Sequence, residues 1–368
     1  MKKAAVVSMA LVTVIGAAVA GRSVIDRKST ALLIANNQET SQTGSVQEVA
    51  QENPGVPTID PAMIIPSGVR VGVVSKNTKG QFWELVKSGM EAAVQDVNAI
   101  YGYKKEEQAT MTFEGPDDEL DVEGQINILD AVIAENPDAL CISAGDMESC
   151  QAQLEAAREN GIPVVAFDAN VSETDLICAY RGTDNTYTGE IAAEKLAEAI
   201  GEKGKVAVFS AQEKTKSIKD RSEGFQNKMK DYPDIEITDV LYEDQVEDMD
   251  AAMRQVLEKN PDLAGVFCTN SESTEAYLNL EKPSESLPVL VGVDATSRQQ
   301  EAIRSGEELG AVSQNPYAMG YQTMLTALQA INLDQQEEIE KNVLLAPVWV
   351  DMDNMDSLVG SGYVYGQG

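Results

Sequence analysis

Two aspartates hold equivalent places in a pattern that the chain repeats. Asp168 follows the apolar run in IPVVAFDAN, which begins at Ile162, and Asp294 follows a similar run in LPVLVGVDAT, which begins at Leu287. An ionised carboxylate only accepts hydrogen bonds, and bonds to it are stronger than bonds between neutral groups. A matched pair of carboxylates therefore suits a ligand with several hydroxyl groups. Paired carboxylates also serve glycosidases, but no loop-borne acid/base pair stands out in this sequence.

Histidine is absent from all 368 residues, which excludes several kinds of chemistry. A Ser-His-Asp or Cys-His mechanism is impossible, and the commonest metal ligand of proteins is missing. The four cysteines lack the C-x-x-C spacing of a zinc site. Cys141 and Cys268 lie in apolar runs typical of buried thiols, while a disulfide of Cys141 with Cys150 or Cys178 stays open. We expect no metal ion and no cofactor.

The overall charge excludes another class of partner. The chain has 28 Lys plus Arg and 60 Asp plus Glu, a formal net charge of -32 at pH 7. Such a body repels phosphate backbones and anionic lipid surfaces. We therefore expect no nucleic acid partner, and the acidity is typical of a highly soluble protein.

The first 21 residues have the pattern of a targeting segment. Lys2 and Lys3 precede an uncharged run over 4–21 that ends in the A-x-A site at 18–20. This pattern predicts either a cleaved signal peptide or an uncleaved membrane anchor, because 18 residues is the lower limit for a spanning helix. In both cases the rest of the chain is exported.

The next segment, residues 22–66, predicts a flexible tether. It contains no Phe, Trp or Tyr, is rich in Gln, Ser, Thr and Asn, and ends in a proline cluster. A segment of this composition buries too little apolar surface to offset the conformational entropy that it would lose on folding.

From Val69 onward, short β-branched runs alternate with longer amphipathic patterns. Near-continuous apolar runs are typical of parallel strands that are buried on both faces. The alternation predicts βαβ units in doubly wound α/β domains. The predicted strands are 69–75, 110–114, 139–143, 163–168, 176–181, 205–210, 236–242, 263–269, 287–293 and 309–314.

An internal repeat indicates two similar lobes. NPDALCISAG at Asn136 matches NPDLAGVFCTN at Asn260, in the same order as the two aspartate-containing segments. Repeats in the same order predict two copies of one fold. Ligands of open α/β sheets bind outside the carboxyl ends of the strands, so two facing lobes form a ligand cleft between them.

Several motifs over about 300 residues resemble one family, the type I periplasmic sugar-binding proteins, which are ribose-binding-protein-like receptors of ABC importers. VGVVSKNTKGQFWELVKSGMEAA resembles the first strand, binding turn and helix. GIPVVAFDANV and the following YRGTDNTYTGEIAAEKL resemble the strand that ends in a ligand aspartate and the turn into the second lobe. KDRSEGFQNKM, AGVFCTNSEST, VLVGVDAT and LGAVSQNPYAMGY resemble the later ligand-bearing segments.

The resemblance implies that four of these side chains form the centre of a sugar site. Phe82 and Trp83 match an aromatic pair that flanks the sugar ring, although either of them could instead pack in the core. Asp168 and Asp294 match the acceptor aspartates. Sugars have apolar C–H faces and a polar rim, which suits aromatic rings combined with carboxylates.

Four further polar residues match cleft positions of the family. Ser75 stands at the end of the first strand, and Arg221 matches an arginine whose guanidinium donates to two ligand oxygens. Asn270 and Gln314 match amides that donate and accept. An alternative for Arg221 is a salt bridge with an aspartate inside the second lobe, away from the ligand.

The sequence departs from the family pattern at four points, one of which is the turn before Phe82, which carries Lys76 and Lys79 and is one residue longer. Ala169 and Asn170 follow the first aspartate where ribose-type receptors often have arginine, and we include Asn170 among the candidates. Ser271 replaces the aspartate that usually follows Asn270, and Val293 replaces an aromatic residue. These differences leave the identity of the sugar or polyol open.

The resemblance also implies the arrangement of the lobes. We expect a first lobe of residues 67–183 and 315–345 and a second lobe of residues 184–314 and 346–368. The chain would then cross between the lobes at three places, near 183–184, 314–315 and 345–346.

The expected function is extracytoplasmic capture of a monosaccharide or polyol by a monomer, without catalysis, for delivery to an ABC permease. A membrane-anchored receptor that signals to a sensor kinase or chemoreceptor is the alternative, as is a receptor for an autoinducer or nucleoside. A DNA-binding repressor of related fold would need an N-terminal helix-turn-helix and a basic face, neither of which the sequence contains.

Overall fold

The computed structural model describes residues 53–60, 62–281 and 287–366. The signal peptide or anchor predicted for residues 1–21 lies outside the described residues, as does the part of the predicted tether over 22–52.

Strands and helices alternate along the described chain. The strands are β1 Arg70–Val74, β2 Thr110–Glu114, β3 Ala139–Ile142, β4 Val164–Phe167, β5 Ala179–Thr183, β6 Gly204–Ser210, β7 Ile235–Tyr242, β8 Leu263–Cys268, β9 Val289–Val293, β10 Gly310–Ser313, β11 Asn342–Leu345 and β12 Val348–Asp351. The α-helices are α1 Gln81–Tyr101, α2 Val122–Ala134, α3 Gln151–Glu159, α4 Asn185–Ala199, α5 Lys216–Met229, α6 Met249–Lys259, α7 Ser271–Asn279, α8 Ser297–Ser305 and α9 Pro316–Ala330.

The strands form two six-stranded sheets with the same internal order. The first sheet runs β11-β5-β4-β3-β1-β2 and the second runs β12-β10-β9-β8-β6-β7. In each sheet, the five strands that come first along the chain lie in the doubly wound order 2-1-3-4-5. Proteins with this order bind ligands at the carboxyl ends of the strands, where the strand order reverses. The two-lobe α/β fold is thus confirmed, and the sequence repeat corresponds to these two sheets.

Ten of the twelve strands were predicted from apolar runs, and two were not. The first sheet is parallel throughout, including β11, which pairs with β5. The second sheet is parallel except for β12, which runs antiparallel to β10. The two unpredicted strands, β11 and β12, have four residues each and lie at sheet edges, where they are only half buried and lack a continuous apolar run.

Each sheet is covered on both faces, which explains its apolar strands. In the first sheet Val71 and Val73 face the side covered by α1 and α9, whereas Leu140 and Ile142 face the side covered by α2 and α3. Alternate residues of a strand point to opposite faces, so both sets of strand residues are buried.

Helix α9 follows a strand of the second sheet but packs on the first. Its Gly320 lies against the backbone of Val86, and Gly89 of α1 lies against the backbone of Tyr317. A Cβ atom at Gly89 would stand 2.0 Å from the Tyr317 carbonyl oxygen, so only glycine permits this approach. The chain therefore passes between the sheets after β5, after β10 and after β11. The exact lobe limits stay a prediction.

The flexible tether predicted for residues 22–66 is wrong for its described part. Ile59 and Ile65 are buried in the core of the first lobe. The Tyr103 hydroxyl donates to the Ile65 carbonyl oxygen at 2.5 Å. Residues 53–60 and 62–66 therefore pack against the first lobe despite their prolines, because the two isoleucines bury apolar surface and the Ile65 carbonyl accepts a hydrogen bond.

None of the helices in the described part of the chain combines the length and apolar character needed to span a bilayer.

Candidate functional site

A small cavity lies between the two sheets, at the carboxyl ends of their strands. Residues of both lobes line its wall. They are Lys76, Phe82, Trp83, Glu119, Asp168, Arg221, Asn270, Ser271, Glu272, Asp294 and Gln314.

The structure brings seven of the nine candidate residues to this cavity, and their role in binding stays a prediction. The other two, Ser75 and Asn170, are not among the described residues that line it. The Ser75 hydroxyl instead donates to the carbonyl oxygen of Asn77 at 2.7 Å, which shapes the turn after β1. The Asn170 side chain accepts from the backbone N–H of Val171 at 2.9 Å and shapes the turn after β4.

Asp168 follows β4 and belongs to the first lobe. Its side chain is almost fully buried, and Oδ2 accepts a hydrogen bond from the Ser143 hydroxyl at 3.0 Å. The Lys76 ammonium lies 3.7 Å from the same oxygen. The Tyr180 hydroxyl donates to the Asp168 backbone carbonyl at 2.6 Å, which fixes the turn. Asp168 is thus a held carboxylate with a cation beside it.

Asp294 follows β9 and belongs to the second lobe. Its Oδ1 accepts from the Gln314 side-chain amide at 2.8 Å and from the Tyr365 hydroxyl at 2.9 Å. Gln314 in turn accepts from the Thr183 hydroxyl at 2.8 Å, so it links the first and second crossings. Asp294 is therefore held by neutral donors at the hinge.

The aromatic pair Phe82 and Trp83 begins α1 and forms one wall of the cavity. The ring centroids are 5.0 Å apart with the planes at 83°, an edge-to-face contact. Both side chains also belong to the core of the first lobe. The indole N–H of Trp83 donates to Glu119 Oε1 at 3.4 Å. The sequence left cavity wall and core as alternatives for these residues, and the structure gives both of them both roles.

An ion pair in the first lobe was not among the candidates. The Lys76 ammonium lies 3.2 Å from Glu119 Oε2 and 5.9 Å from the centroid of the Trp83 ring. Burial alone would lower the pKa of Lys76, but the charges of Glu119 and Asp168 outweigh it and raise the pKa. Lys76 is therefore a charged wall residue. Its place in the turn was visible in the sequence, but its partner lies 43 residues away in the loop after β2.

Arg221 lies on α5 and is 2% exposed. Its Nε donates to the Asn185 side chain at 2.8 Å and its Nη1 to the Thr269 carbonyl at 3.0 Å. Within the described residues it forms no salt bridge, so the alternative of a salt bridge inside the second lobe is not what the structure has. Lys76, and not Arg221, provides the cation in contact with Asp168.

The start of α7 contributes a further acid that the sequence analysis missed. Asn270 caps this helix, and its side-chain amide donates to Glu272 Oε2 at 2.8 Å. Glu272 lines the cavity, and part of its surface is open to solvent at the rim. Enclosure between the lobes raises its pKa, and the nearby charge of Glu119 adds to this effect.

Direct contacts join the two lobes on both sides of the cavity. On one side the Gln81 amide donates to the Ser297 hydroxyl at 2.9 Å, and the Ser297 N–H donates back to Gln81 Oε1 at 2.8 Å. On the other side the Gln212 amide donates to the Glu119 carbonyl at 2.7 Å. The structure therefore shows the lobes in a closed arrangement.

The side chains of the wall are hydrogen-bond donors, hydrogen-bond acceptors and aromatic rings. The four cysteines are unpaired by disulfides, and burial raises the pKa of Cys150 to about 12. Within the described residues no cluster of three or more acids or cysteines could hold a metal ion. The carboxylates of the cavity can accept hydrogen bonds from hydroxyl groups, and the guanidinium and amides can donate hydrogen bonds. The aromatic rings can pack against an apolar face of a ligand.

Curated relatives of the chain are sugar-binding proteins. It is 22% identical over 242 residues to the D-apiose import binding protein of Actinobacillus succinogenes, a match over 65% of this chain and 77% of that protein. It is 25% identical over 190 residues to the ribose import binding protein RbsB of Escherichia coli, which covers 51% of this chain and 64% of that protein.

Two solved structures of similar fold contain a bound sugar. An ABC transporter solute-binding protein from Agrobacterium vitis bound with α-D-tagatopyranose is 27% identical with a TM-score of 0.73, over 81% of this chain and 99% of that one. Another from the same organism, with bound D-fucose, is 27% identical with a TM-score of 0.71, over 80% of this chain and 100% of that one. The periplasmic binding protein domain model matches residues 71–336, and the chain therefore belongs to this family of extracytoplasmic substrate-binding proteins.

Proposed function

We propose that this protein captures a monosaccharide or related polyol outside the cytoplasm for an ABC importer. The observation that carries the proposal is the composition of the cavity wall. The aromatic pair Phe82 and Trp83 forms one part, and buried aspartates of both lobes, Asp168 and Asp294, form another. A sugar ring matches this combination because it presents apolar C–H faces and a rim of hydroxyl groups.

The ligand is a neutral molecule that donates and accepts at the same time. A hydroxyl group can donate to a carboxylate and accept from the Arg221 guanidinium, whereas a purely donating or purely accepting group leaves one of these unpaired. An unpaired polar group in a closed cavity costs about 1–3 kcal/mol. This requirement supports a sugar or polyol over an apolar or strongly charged ligand.

The protein binds its ligand without converting it. No side chain of the cavity wall is a histidine or a cysteine. The carboxylates of Asp168, Glu272 and Asp294 each accept a hydrogen bond from a side chain of their own lobe. Closure of the lobes around the sugar and its release at the permease then constitute the whole working cycle.

The partners follow from this role. We propose that a monomer delivers the sugar to an ABC permease and that it binds no nucleic acid, in line with a net charge of -32. Import is favoured over signalling because the similar solved proteins are described as ABC transporter components. Residues 1–21 provide export as a signal peptide or an anchor. Permease and ATPase genes beside this one would support import.

A thermal-shift screen tests the proposal. The purified protein is heated with D-ribose, D-tagatose, D-fucose, D-arabinose, xylitol, nucleosides and amino acids in separate wells. A ligand present at 100 times its Kd stabilises the folded state by about 2.7 kcal/mol. We expect at least one sugar or polyol to raise the Tm. Stabilisation by amino acids alone, or by no sugar at all, would contradict the proposal.

A further inference from the structure

The C-terminal tail, residues 359–366, lies beyond the segment that matches the family model and yet contacts Asp294, which lines the cavity. Val364 packs into a cluster of the second lobe with Ala295 and Val350. The next residue, Tyr365, is fully buried and packs into the core of the first lobe. Two adjacent side chains of the tail thus enter different lobes.

Tyr365 makes a direct contact with a candidate ligand residue. Its hydroxyl donates to Asp294 Oδ1 at 2.9 Å, and the Gln314 amide donates to the same oxygen at 2.8 Å. Two donors on one oxygen fix the plane of the carboxylate. The second carboxylate oxygen, Oδ2, is therefore oriented by Tyr365 and Gln314 together.

The ring and backbone of Tyr365 connect this contact to both lobes. Its ring lies 6.4 Å from the ring of Phe82, which belongs to the first lobe. Its backbone N–H donates to the Ala295 carbonyl at 3.0 Å, and its carbonyl accepts from the Gln300 side chain at 2.8 Å, both in the second lobe. In this structure Tyr365 therefore touches both Asp294 of the second lobe and the aromatic wall of the first lobe.

The hydroxyl of Tyr365 stays a donor under all ordinary conditions. Burial raises the pKa of Tyr365 well above its usual value, and the charge of Asp294 raises it further. A buried tyrosine hydroxyl needs a partner, and here that partner is the carboxylate.

We propose that Tyr365 is a positioning residue of the sugar site, which orients Asp294 toward the ligand and joins this carboxylate to Phe82 across the closed lobes. The proposal rests on the sugar-binding function proposed above. The C-terminal tail is accordingly part of the binding site, although it lies outside both the sequence repeat and the family segment.

Calorimetric titration of the full chain tests the proposal with D-ribose, D-tagatose, D-fucose and D-arabinose. Tyr365→Phe keeps the ring and removes the hydroxyl. We expect it to weaken the affinity for the sugar that binds most tightly three- to tenfold. Tyr363→Phe is the matched control, because the Tyr363 hydroxyl donates to the Ala346 carbonyl at 3.0 Å and does not contact Asp294. We expect this control to bind within twofold of the wild type, with both Tm values close to that of the wild type.

A double-mutant cycle separates positioning from a merely structural role. In an Asp294→Ala background the Tyr365→Phe change should cost less than twofold, because the side chain that it orients is absent. A Tyr365→Phe protein that binds like the wild type, an equal loss in Tyr363→Phe, or a fully additive cycle would overturn the proposal. If the wild type binds none of the four sugars while the variants are equally inert, the sugar-binding function itself fails.

Discussion

Asp168 and Asp294 are structural counterparts at the carboxyl ends of equivalent strands in the two lobes. Both have left-handed backbone conformations, with φ of 54° and 76°, and both are 3% exposed. Each backbone N–H donates to a carbonyl of the neighbouring strand, that of Arg181 at 3.0 Å and that of Val312 at 3.1 Å. A positive φ costs a residue other than glycine on the order of 1–3 kcal/mol, and such costs persist mostly at functional sites. The shared strain therefore supports a shared role in binding.

Asp168→Asn and Asp294→Asn should each weaken sugar binding at least tenfold. Asparagine tolerates a positive φ and has the same shape, so the loss reports the carboxylate charge rather than the fold. Tenfold corresponds to about 1.4 kcal/mol. Titration calorimetry with the sugar found by the screen measures this. Wild-type affinity in either variant would remove that aspartate from the site.

Arg221→Ala should weaken sugar binding at least tenfold while the protein still folds, because Arg221 lines the cavity and carries a charged donor. Arg181→Ala is the matched control. Arg181 is also buried, but it binds the Thr326 hydroxyl at 2.9 Å and does not line the cavity. Calorimetry of both variants decides the matter. Equal losses of affinity in both variants would indicate a general effect of removing a buried charge. Unchanged affinity in Arg221→Ala would show that Arg221 does not bind the ligand and would leave Asn270 and Gln314 as the donors.

Glu119→Gln should lower the free energy of unfolding by about 1–3 kcal/mol, because it leaves the buried Lys76 ammonium with one carboxylate fewer. Lys76→Met added to the same chain should recover most of this loss, since it removes the buried ammonium that Glu119→Gln leaves with one carboxylate fewer. Urea denaturation of the two variants and the wild type measures both effects. If the double variant is less stable than Glu119→Gln alone, the ion pair is not the reason for the loss.

The buried Glu308, which does not line the cavity, should make the stability of the protein depend on pH. Its side chain is 1% exposed, Oε1 accepts from the Gln299 amide at 3.2 Å, and Oε2 has no hydrogen-bond partner among the described residues. Burial raises its pKa well above the usual value of a glutamate. The folded state then holds a proton that the unfolded state has released, so stability falls as the pH rises from the unfolded pKa to the folded pKa.

Glu308→Gln should remove this dependence, because the amide is neutral at every pH. We expect the variant to gain at least about 1 kcal/mol over the wild type between pH 5 and pH 8, since one pKa unit corresponds to about 1.4 kcal/mol. Urea denaturation at the two pH values measures the change. A variant whose stability relative to the wild type is the same at both pH values would show that Glu308 is not buried as an acid.

Much of the fold could be predicted from the sequence because the relevant information is local. The apolar runs that became β1 to β10 are buried on both faces, so they stand out without any knowledge of pairing. Strands β11 and β12 are short, half buried and held by a single neighbour each, so they carry no such pattern. Ile59 and Ile65 were missed because two apolar residues in a proline-rich segment do not form a periodic pattern.

The site was predictable where strand ends and repeats placed the residues. Asp168 and Asp294 stand at matching strand ends, and Phe82 and Trp83 stand at the first turn of a helix. Glu119, Glu272 and Tyr365 were not found, for a physical reason. They lie on a long loop, at a helix start and in a C-terminal tail, and their positions depend on lobe packing rather than on local pattern. Lys76 differs in that its turn was noted while its distant partner was not.

The most direct test of the account is a crystal structure of the protein with the sugar that raises its Tm most. We predict one sugar ring in the cavity between the lobes, against Phe82 or Trp83, with hydroxyl groups within about 3 Å of a carboxylate oxygen of both Asp168 and Asp294. A sugar bound elsewhere on the surface, or a cavity that holds the sugar without contact to either aspartate, would contradict the central claim that this cleft is a sugar-binding site.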